Sequence, residues 1–415
     1  MGVTPRPEGL GSRRAALQLL DAVLRRGQTL DAAAQKVATP DRPLALAIAG
    51  ETLRRLPDLD AAIDGATRQR LPDDAKARNV LRLALGQKVA LNVPDHALVA
   101  TALPLVEGGP RRLVHGVLGT LLRGNFDLGQ EARLPPDVEA RWTEQWGEGV
   151  VAAGRRAIVR RPPLDLSFAD PQEAAQFAAE QGSEQLAPAH LRLRGGKSVT
   201  ELPGFGAGNW WVQDLAASLP ARLIPTGARE VLDLCAAPGG KTMQLAAAGH
   251  HVTALDRSES RLGRLADNLA RTGVAATTII ADALEWTGGP FDAVLLDAPC
   301  SATGTFRRHP EVLHRARPQI IAEAAALQHR LLAHAATLLR PGGTLIYAVC
   351  SLEREEGEAV IEARSELRLD PIEDAELPAG IKPAPQGWVR ILPGMLEEHG
   401  SLDGFFIARL VRPDA

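Results

Sequence analysis

The chain is poor in aromatic residues. Phe, Trp and Tyr make up 4% of its 415 residues, and Tyr347 is its single tyrosine, so recognition of nucleic-acid bases by stacking is limited. Cysteine is scarcer still. Cys235, Cys300 and Cys350 are all it has, each in the C-terminal half. An odd, low number in a long chain excludes a disulfide framework and points to a reducing, cytoplasmic setting. No apolar run reaches the ~18–20 residues of a membrane span. Met1 to Arg14 is rich in Gly, Pro and Arg and has no apolar core. A secretory signal is therefore not expected, and 1–11 reads as a disordered lead-in. His309 has no partner at ligand spacing, so no metal site is expected. The formal net charge of −3 carries no global signal for a polyanion partner.

The distribution of charge says more than its sum. Residues 1–160 hold 23 Lys+Arg against 18 Asp+Glu, and residues 161–415 hold 24 against 32. A mildly basic first part beside an acidic second part suits a polyanion held by one and worked on by the other. The two parts also differ in pattern. Ser12–Arg26, Asp41–Leu56, Ala75–Leu91 and Arg111–Arg123 carry apolar residues at a 3.6-residue period, with Pro57, Pro72 and Pro94 between them and Asp58 and Asp95 as candidate caps. The first part is therefore an all-α domain of short helices. Its paired arginines, Arg13/Arg14, Arg25/Arg26, Arg54/Arg55 and Arg111/Arg112, are candidates for phosphate contacts. A linker helix follows Leu134-Pro135-Pro136, carrying Trp142 and Trp146 on one face as a packing seam. Strand-like Leu164–Phe168, helical Pro171–Gln181, and strands near His190–Leu193 and Ser198–Glu201 then form a small α/β subdomain.

Beyond it, apolar runs at 231–235, 252–255, 277–281, 291–297 and 344–349 alternate with helical patterns, notably Glu311–Leu339. Alternating strand and helix predicts a mostly parallel, doubly wound α/β sheet. Trp388–Leu392 and Phe405–Val411 read as a closing strand pair. The first of these runs leads straight into Asp233-Leu-Cys235-Ala-Ala-Pro-Gly239-Gly240-Lys241-Thr242, a strand, a tight turn and a helix start. The glycines let the backbone approach a ligand, and the helix start offers free N–H groups. The NAD fingerprint G-x-G-x-x-G is missing, and Cys235 stands where a phosphate-binding P-loop needs its first Gly. Asp256, at the end of the next run, can hold a ribose by its two hydroxyls. A ribose without a pyrophosphate loop suggests S-adenosylmethionine.

Three more strand ends carry polar residues: Asp282 at the third, Asp297 with Pro299 and Cys300 at the fourth, and Cys350 at the fifth. Ligands bind at the carboxyl ends of such strands, and all three cysteines sit there. A thiol is needed where the methyl acceptor is a poor nucleophile. If a thiolate adds to C6 of a pyrimidine, C5 becomes able to attack a methyl group; a base then removes the C5 proton and the thiol leaves. A free thiol, with a pKa of about 8.5, is only a few per cent thiolate at neutral pH, so the site must stabilise the anion. Asp297 could bond the ring nitrogen and exocyclic edge of a base. Chemistry alone does not choose between Cys300 and Cys350.

Asp233–Thr242, then Asp297-Ala-Pro-Cys300-Ser-Ala-Thr-Gly-Thr305 with Arg307-Arg308-His309-Pro310-Glu311, then Val349-Cys350-Ser351 and an acidic helix, resemble the RNA 5-methylcytosine methyltransferases of the RsmB/NOP2/Sun family over about 210–412. The helical part, with Leu81–Gln87 and Gly116–Gly119, looks like a NusB-like domain. The resemblance implies a Rossmann-like class I S-adenosylmethionine methyltransferase domain over 209–412, an all-α NusB-like RNA-binding domain over 12–130, and a linker helix with a small α/β subdomain over 131–208. It implies that Cys235, Ala236, Ala237, Pro238, Gly239, Gly240 and Lys241 wrap the methionine moiety, that Asp256 holds the ribose and Asp282 the adenine amino edge, and that Asp297 lies between cofactor and base. Cys350 is then the nucleophile and Cys300 assists product release, although the Pro-Cys pair of DNA cytosine methyltransferases would favour Cys300 as nucleophile. Arg307, Arg308 and His309 become candidates for contacting phosphate or the gap left by a flipped base. The expected substrate is ribosomal RNA, of the small subunit, acted on by a cytoplasmic monomer. A tRNA cytosine-C5 methyltransferase and a non-catalytic NusB-like assembly factor are the alternatives.

Overall fold

The computed structural model describes residues 9–37, 40, 42–124, 126–195, 198–363 and 366–414. The expected lead-in lies outside these up to Glu8, and from Leu10 the chain is already helical. Contacts divide the chain into two compact units, Met1–Arg161 with Phe306–Arg317, and Pro162–Thr305 with Pro318–Ala415. The division falls inside the 131–208 stretch that the sequence sets apart as a linker subdomain. Among the described residues no helix is long and apolar enough to cross a membrane.

The first unit is helical: α1 (Leu10–Leu24), α2 (Leu30–Ala34), α3 (Arg42–Arg54), α4 (Leu56–Gly65), α5 (Lys76–Leu91), α6 (Asp95–Ala102), α7 (Gly108–Arg123), α8 (Pro136–Trp146) and α9 (Glu148–Val159). Their apolar stripes meet: Leu19 and Leu20 of α1, Ile48 and Leu53 of α3, and Leu83 of α5 share one core. A fully buried leucine contributes about 1.5–3 kcal/mol. Asp58 and Asp95 lie in the first turns of α4 and α6 rather than at their caps, where a negative charge still favours the helix dipole. Helix α5 buries arginines because acids meet them. Arg78 bonds Asp60 at 2.9 Å and Asp64 at 2.6 Å, and Arg82 bonds Asp60 at 2.7 Å. Trp142 of α8 is fully buried and meets the Phe306 ring edge-on at 5.5 Å.

The second unit begins with a small antiparallel sheet in the order β2-β3-β1-β4, from β1 (Leu164–Phe168), β2 (Glu184–Ala187), β3 (His190–Leu193) and β4 (Trp210–Val212), with α10 (Pro171–Gln181) between β1 and β2. The strand expected at Ser198–Glu201 is instead a single 3-10 turn, Val199–Glu201. Its backbone closes on itself, with Glu201 N–H donating to Ser198 O at 3.0 Å, in place of a ladder bond to a neighbouring strand. Helix α11 (Leu215–Arg222) leads to the large sheet: β5 (Glu230–Leu234), α12 (Gly240–Ala247), β6 (His251–Asp256), α13 (Glu259–Thr272), β7 (Thr277–Ile280), β8 (Phe291–Asp297), α14 (Val312–Arg315, in the first unit), α15 (Pro318–Thr337), β9 (Leu339–Val349), α16 (Glu358–Glu362), β10 (Arg368–Leu369), β11 (Val389–Ile391) and β12 (Phe405–Val411).

The order β10-β12-β9-β8-β5-β6-β7 is parallel from β9 to β7 and antiparallel at β12, which also pairs β11. This is a doubly wound, Rossmann-like sheet. Alternate residues face opposite cores. Leu232, Leu296 and Tyr347 pack with Leu331 and Ala335 of α15, while Val231, Leu295 and Ile346 pack with Leu215 and Leu219 of α11. Covered on both faces, the strands read as near-continuous apolar runs. The single helix expected over Glu311–Leu339 breaks at Arg317-Pro318, since proline disfavours helical geometry in the residue before it.

Candidate active site

The chain runs from β5 outward to β6 and β7, then returns to β8 and β9 on the other side of β5. Connections leave such a switch point on opposite faces, which opens a crevice at the carboxyl ends of β5 and β8. Register sets what meets there. Leu234 pairs Leu296, and Asp297 pairs Ala348, so Cys235, Asp297 and Cys350 follow their strands at nearly one level.

At the end of β5, Cys235 adopts φ 68° and turns the chain. Ala236 N–H donates to Leu255 O at 3.0 Å and Ala237 N–H to Asp256 Oδ2 at 3.2 Å, tying the Cys235–Pro238 turn to β6. Gly239 has φ 105°, a conformation that side-chain-bearing residues adopt only with strain, and a Cβ on it would also push against Leu265 Cδ1 at 2.0 Å. Gly240 then opens α12, whose first N–H groups lack intrahelical acceptors. Burial, with Asp256, Asp297 and Asp233 nearby, pushes the Cys235 thiol up to about 12, which makes it a poor nucleophile.

Asp256 is buried. Its Oδ1 accepts from Ser258 N–H and from Arg261 Nη2, both at 2.9 Å. A carboxylate has about four acceptor sites, so capacity for a hydroxyl remains. Asp282 is exposed at the end of β7 and caps its own turn through Leu284 N–H at 2.9 Å. Lys241 reaches across from α12. Its Nζ lies 2.7 Å from Asp297 Oδ2 and 5.4 Å from the Phe405 ring centroid. Burial opposes its charge, but the Asp297 carboxylate outweighs burial, with the Cys350 sulfur adding to it, and the ammonium sits above the usual lysine value. Lys241 thus belongs with Asp297 and Cys350 as well as with the turn.

Cys300 Sγ and Cys350 Sγ are 3.5 Å apart, a contact of two free thiols. Gly304 N–H donates to Cys350 O at 3.0 Å, and Ala298 N–H to Ala348 O at 2.9 Å, holding the loop after β8 against the loop after β9. A Cβ on Gly304 would lie 2.1 Å from Gly404 O, so this loop too can pass only as glycine. The hydrogen bond to Cys350, then burial, then the charges of Cys350 and Glu356 keep the Cys300 thiol well above its ordinary value. Glu356 thus acts on the Cys300 thiol, and the Lys241 ammonium lies within electrostatic reach of the Cys350 sulfur.

Two acids here are not among the site residues expected from sequence. Asp233 interrupts the apolar run of β5, is fully buried, accepts from Thr242 Oγ1 at 2.6 Å, and is pushed up to about 7 by burial. A charged residue inside a buried strand is the signal that could have found it. Glu356 lies in the acidic stretch that follows Cys350, yet it is fully buried beside the cysteine loops. Conversely, Arg307 is not an exposed phosphate contact. It is buried in the first unit, where its carbonyl accepts from Arg54. Nor are Arg54 and Arg55 free for phosphate: Arg54 also bonds Ile158 O at 2.9 Å, and Arg55 bonds Glu131 O and Gly129 O at 2.6 and 2.8 Å. Arg111 and Arg112 are exposed.

The donor set distinguishes among cofactors. Three carboxylates, Asp256, Asp282 and Asp297, stand at the ends of β6 to β8, with Arg261 and Lys241 as the cations bound to the first and the last. Such an edge repels a pyrophosphate and suits a cationic ligand bearing hydroxyl and amino donors, the character of S-adenosylmethionine.

Similarity to known proteins covers both units. Residues 220–411 match the family described as 16S rRNA methyltransferase RsmB/F, and residues 11–123 match the NusB family. The chain is 36% identical to the ribosomal RNA small subunit methyltransferase B of Xylella fastidiosa over 430 residues, covering 98% of this chain and 99% of that one. It is 35% identical to the protein of the same name from Klebsiella pneumoniae, with the same coverage. Among solved structures, the methyltransferase homolog protein from Pyrococcus horikoshii is 28% identical and superposes with a TM-score of 0.57 over 71% of this chain and 98% of that one.

Proposed function

The chain belongs to the RsmB/F family of ribosomal RNA methyltransferases, and from that premise we propose that it methylates C5 of a cytosine in small-subunit rRNA, with S-adenosylmethionine as donor and Cys350 as covalent nucleophile. The observation that carries this reading is the 3.5 Å contact of Cys300 and Cys350 beside the Lys241–Asp297 ion pair. Two thiols are not needed to methylate an oxygen or a nitrogen. One thiol is needed to activate a ring carbon, and a second in contact with it can serve the step that undoes the adduct.

In this reading Asp256 and Asp282 hold the ribose and adenine edge, and the Cys235–Lys241 turn holds the methionine end. Bound S-adenosylmethionine supplies a methyl group on a positively charged sulfur. Lys241 stabilises the Cys350 thiolate, whose Sγ bonds to C6 and leaves C5 nucleophilic. Asp297, paired with Lys241 at 2.7 Å, accepts the N–H of the exocyclic amino group and orients the ring. Cys300 Sγ, in contact with Cys350, gives its proton to that sulfur as it departs and takes up the C5 proton, whose electron pair re-forms the C5–C6 double bond and expels Cys350. The NusB-like unit would engage RNA, and the enzyme would act as a cytoplasmic monomer.

Bisulfite sequencing of total RNA from cells with and without the gene tests the proposal. One small-subunit rRNA cytosine should lose its protection in the deletion. A lost site in tRNA would move the substrate. No lost site, in a protein that binds labelled S-adenosylmethionine, would leave a binding factor.

A further inference from the structure

Glu356 is a buried carboxylate that the proposed reaction does not use. It ends the short turn Arg354–Glu356, and no part of it is exposed. Four donors converge on its two oxygens. The Ser301 N–H donates to Oε1 at 2.7 Å and Gln328 Nε2 to Oε1 at 3.2 Å, while the Ser301 and Ser351 hydroxyls both donate to Oε2. Four is the acceptor capacity of an ionised carboxylate. Ser301 directly follows Cys300 and Ser351 directly follows Cys350, so one carboxylate grips both cysteine loops.

The surrounding elements support the grip. Gln328 of α15 also donates to Pro299 O at 2.9 Å. Tyr347 of β9 donates its hydroxyl to Glu356 O at 2.6 Å. Arg390 of β11 donates to Ser351 O at 2.6 Å, but its charge is paired with Glu358. Ionisable neighbours of the carboxylate include Cys300, Cys350, Tyr347, Arg390, Glu358 and the buried Glu353, whose N–H donates to Ser351 Oγ at 3.1 Å, and among the described residues no cation bonds it directly. Burial pushes the Glu356 carboxyl up, and the hydrogen bonds of Ser301, Ser351 and Gln328 oppose that push.

We infer that Glu356 is a positioning residue that holds the loops of Cys300 and Cys350 in register and, by its charge, biases the pair toward a Cys300 thiol beside a Cys350 thiolate. This rests on the proposed role of Cys350 as nucleophile. A carboxylate kept only for folding would hold the loops without ordering the reactivity of the two sulfurs.

The test uses full-length wild type, Glu356→Gln and Glu356→Asp. Each cysteine is alkylated with iodoacetamide across a pH series and read peptide by peptide, and kcat and KM are measured on small-subunit rRNA. Glu356→Gln removes the charge at constant shape, and rotated serine hydroxyls can accept from its amide. It should bring the Cys300 alkylation midpoint down by about one pH unit, with about tenfold faster modification at a given pH below it. It should lower kcat about tenfold while S-adenosylmethionine affinity and the Cys235 profile stay as in wild type. Glu356→Asp keeps the charge and shortens the reach, so it should hold the Cys300 midpoint while kcat falls. An unchanged Cys300-to-Cys350 reactivity order in Glu356→Gln overturns the electrostatic role. If that variant does not fold, wild-type kcat in Glu356→Asp overturns the positioning role. The alkylation arm contains no RNA. Absence of methyl transfer by the wild type would therefore sink the cytosine reading, while the reactivity order still decides for or against Glu356.

Discussion

Lys241 Nζ and Asp297 Oδ2 form a 2.7 Å ion pair across the switch point, joining the first turn of α12 to the end of β8. The two side chains face each other in a half-enclosed site, so neither can be replaced alone without leaving its partner uncompensated. Lys241→Met should lower kcat for methyl transfer by 100-fold or so, because both the thiolate and the orienting carboxylate lose their cation. S-adenosylmethionine binding, read by equilibrium dialysis, should weaken much less. An equal loss in both would make Lys241 a cofactor ligand and nothing more.

The contact between Cys300 and Cys350 makes the two sulfurs separable by experiment. Cys350→Ala should abolish methylation and form no adduct. Cys300→Ala should accumulate a covalent protein–RNA species that survives denaturing gel electrophoresis. An adduct in Cys350→Ala instead would reverse the roles.

The sheet was legible because its strands are buried on both faces and announce themselves as apolar runs. The run at 231–235 matches β5 (Glu230–Leu234), and 291–297 matches β8. Strand ends were legible too, since polar residues after an apolar run mark them. What sequence cannot carry is register between elements far apart in the chain. The 3.5 Å thiol contact depends on Asp297 pairing Ala348, and the burial of Glu356 depends on α15 covering its turn. Nor could pattern show that Phe306–Arg317, which follows the Cys300 loop, would fold among the helices. There Glu311 Oε1 accepts from Leu30 N–H at 3.2 Å, and Arg315 Nε donates to Gly27 O at 2.7 Å. A run of arginines looks like surface until its backbone partners are seen.

Asp233 gives the protein a pH dependence of defined sign. The native state keeps a proton on Asp233 up to about pH 7, because burial raises its pKa to that value. An unfolded aspartate releases its proton near pH ~4. Between these values the native state binds more protons, so the contribution of this group is full below about pH 4 and is lost as pH rises through about 7. Asp233→Asn keeps an acceptor for Thr242 and carries no charge. It should gain stability over wild type at pH 8, on the order of 1–3 kcal/mol, and no such gain at pH 4. Urea unfolding of the cofactor-free protein at the two values checks this, and a pH-independent difference would show that Asp233 does not titrate there.

Asp165 and Arg192 supply the opposite case, a buried charge pair that must stay charged. Both are fully buried in the small sheet, with Arg192 Nε and Nη2 each 2.7 Å from an Asp165 oxygen. Burial raises the Asp165 carboxyl, but the Arg192 hydrogen bonds outweigh it and hold the group well below the usual carboxylate range. The pair also docks the small sheet on the large one. Asp165 accepts from Leu215 N–H at 3.1 Å at the start of α11, and Arg192 Nη1 donates to His399 O and Ser401 O at 3.0 and 2.9 Å. A depressed pKa gives stability that is present above the unfolded value and is lost on acidification only as pH falls through the folded value. Asp165→Ala strands a guanidinium and a backbone N–H together, and should cost about 3–5 kcal/mol in urea unfolding at neutral pH. Asp165→Leu with Arg192→Met removes both charges at similar volume and should recover most of that loss, leaving the Leu215 N–H short of an acceptor and the His399 and Ser401 carbonyls short of a donor. If the double variant is as unstable as Asp165→Ala, the docking bonds of Arg192, not the charge pair, hold the small sheet in place.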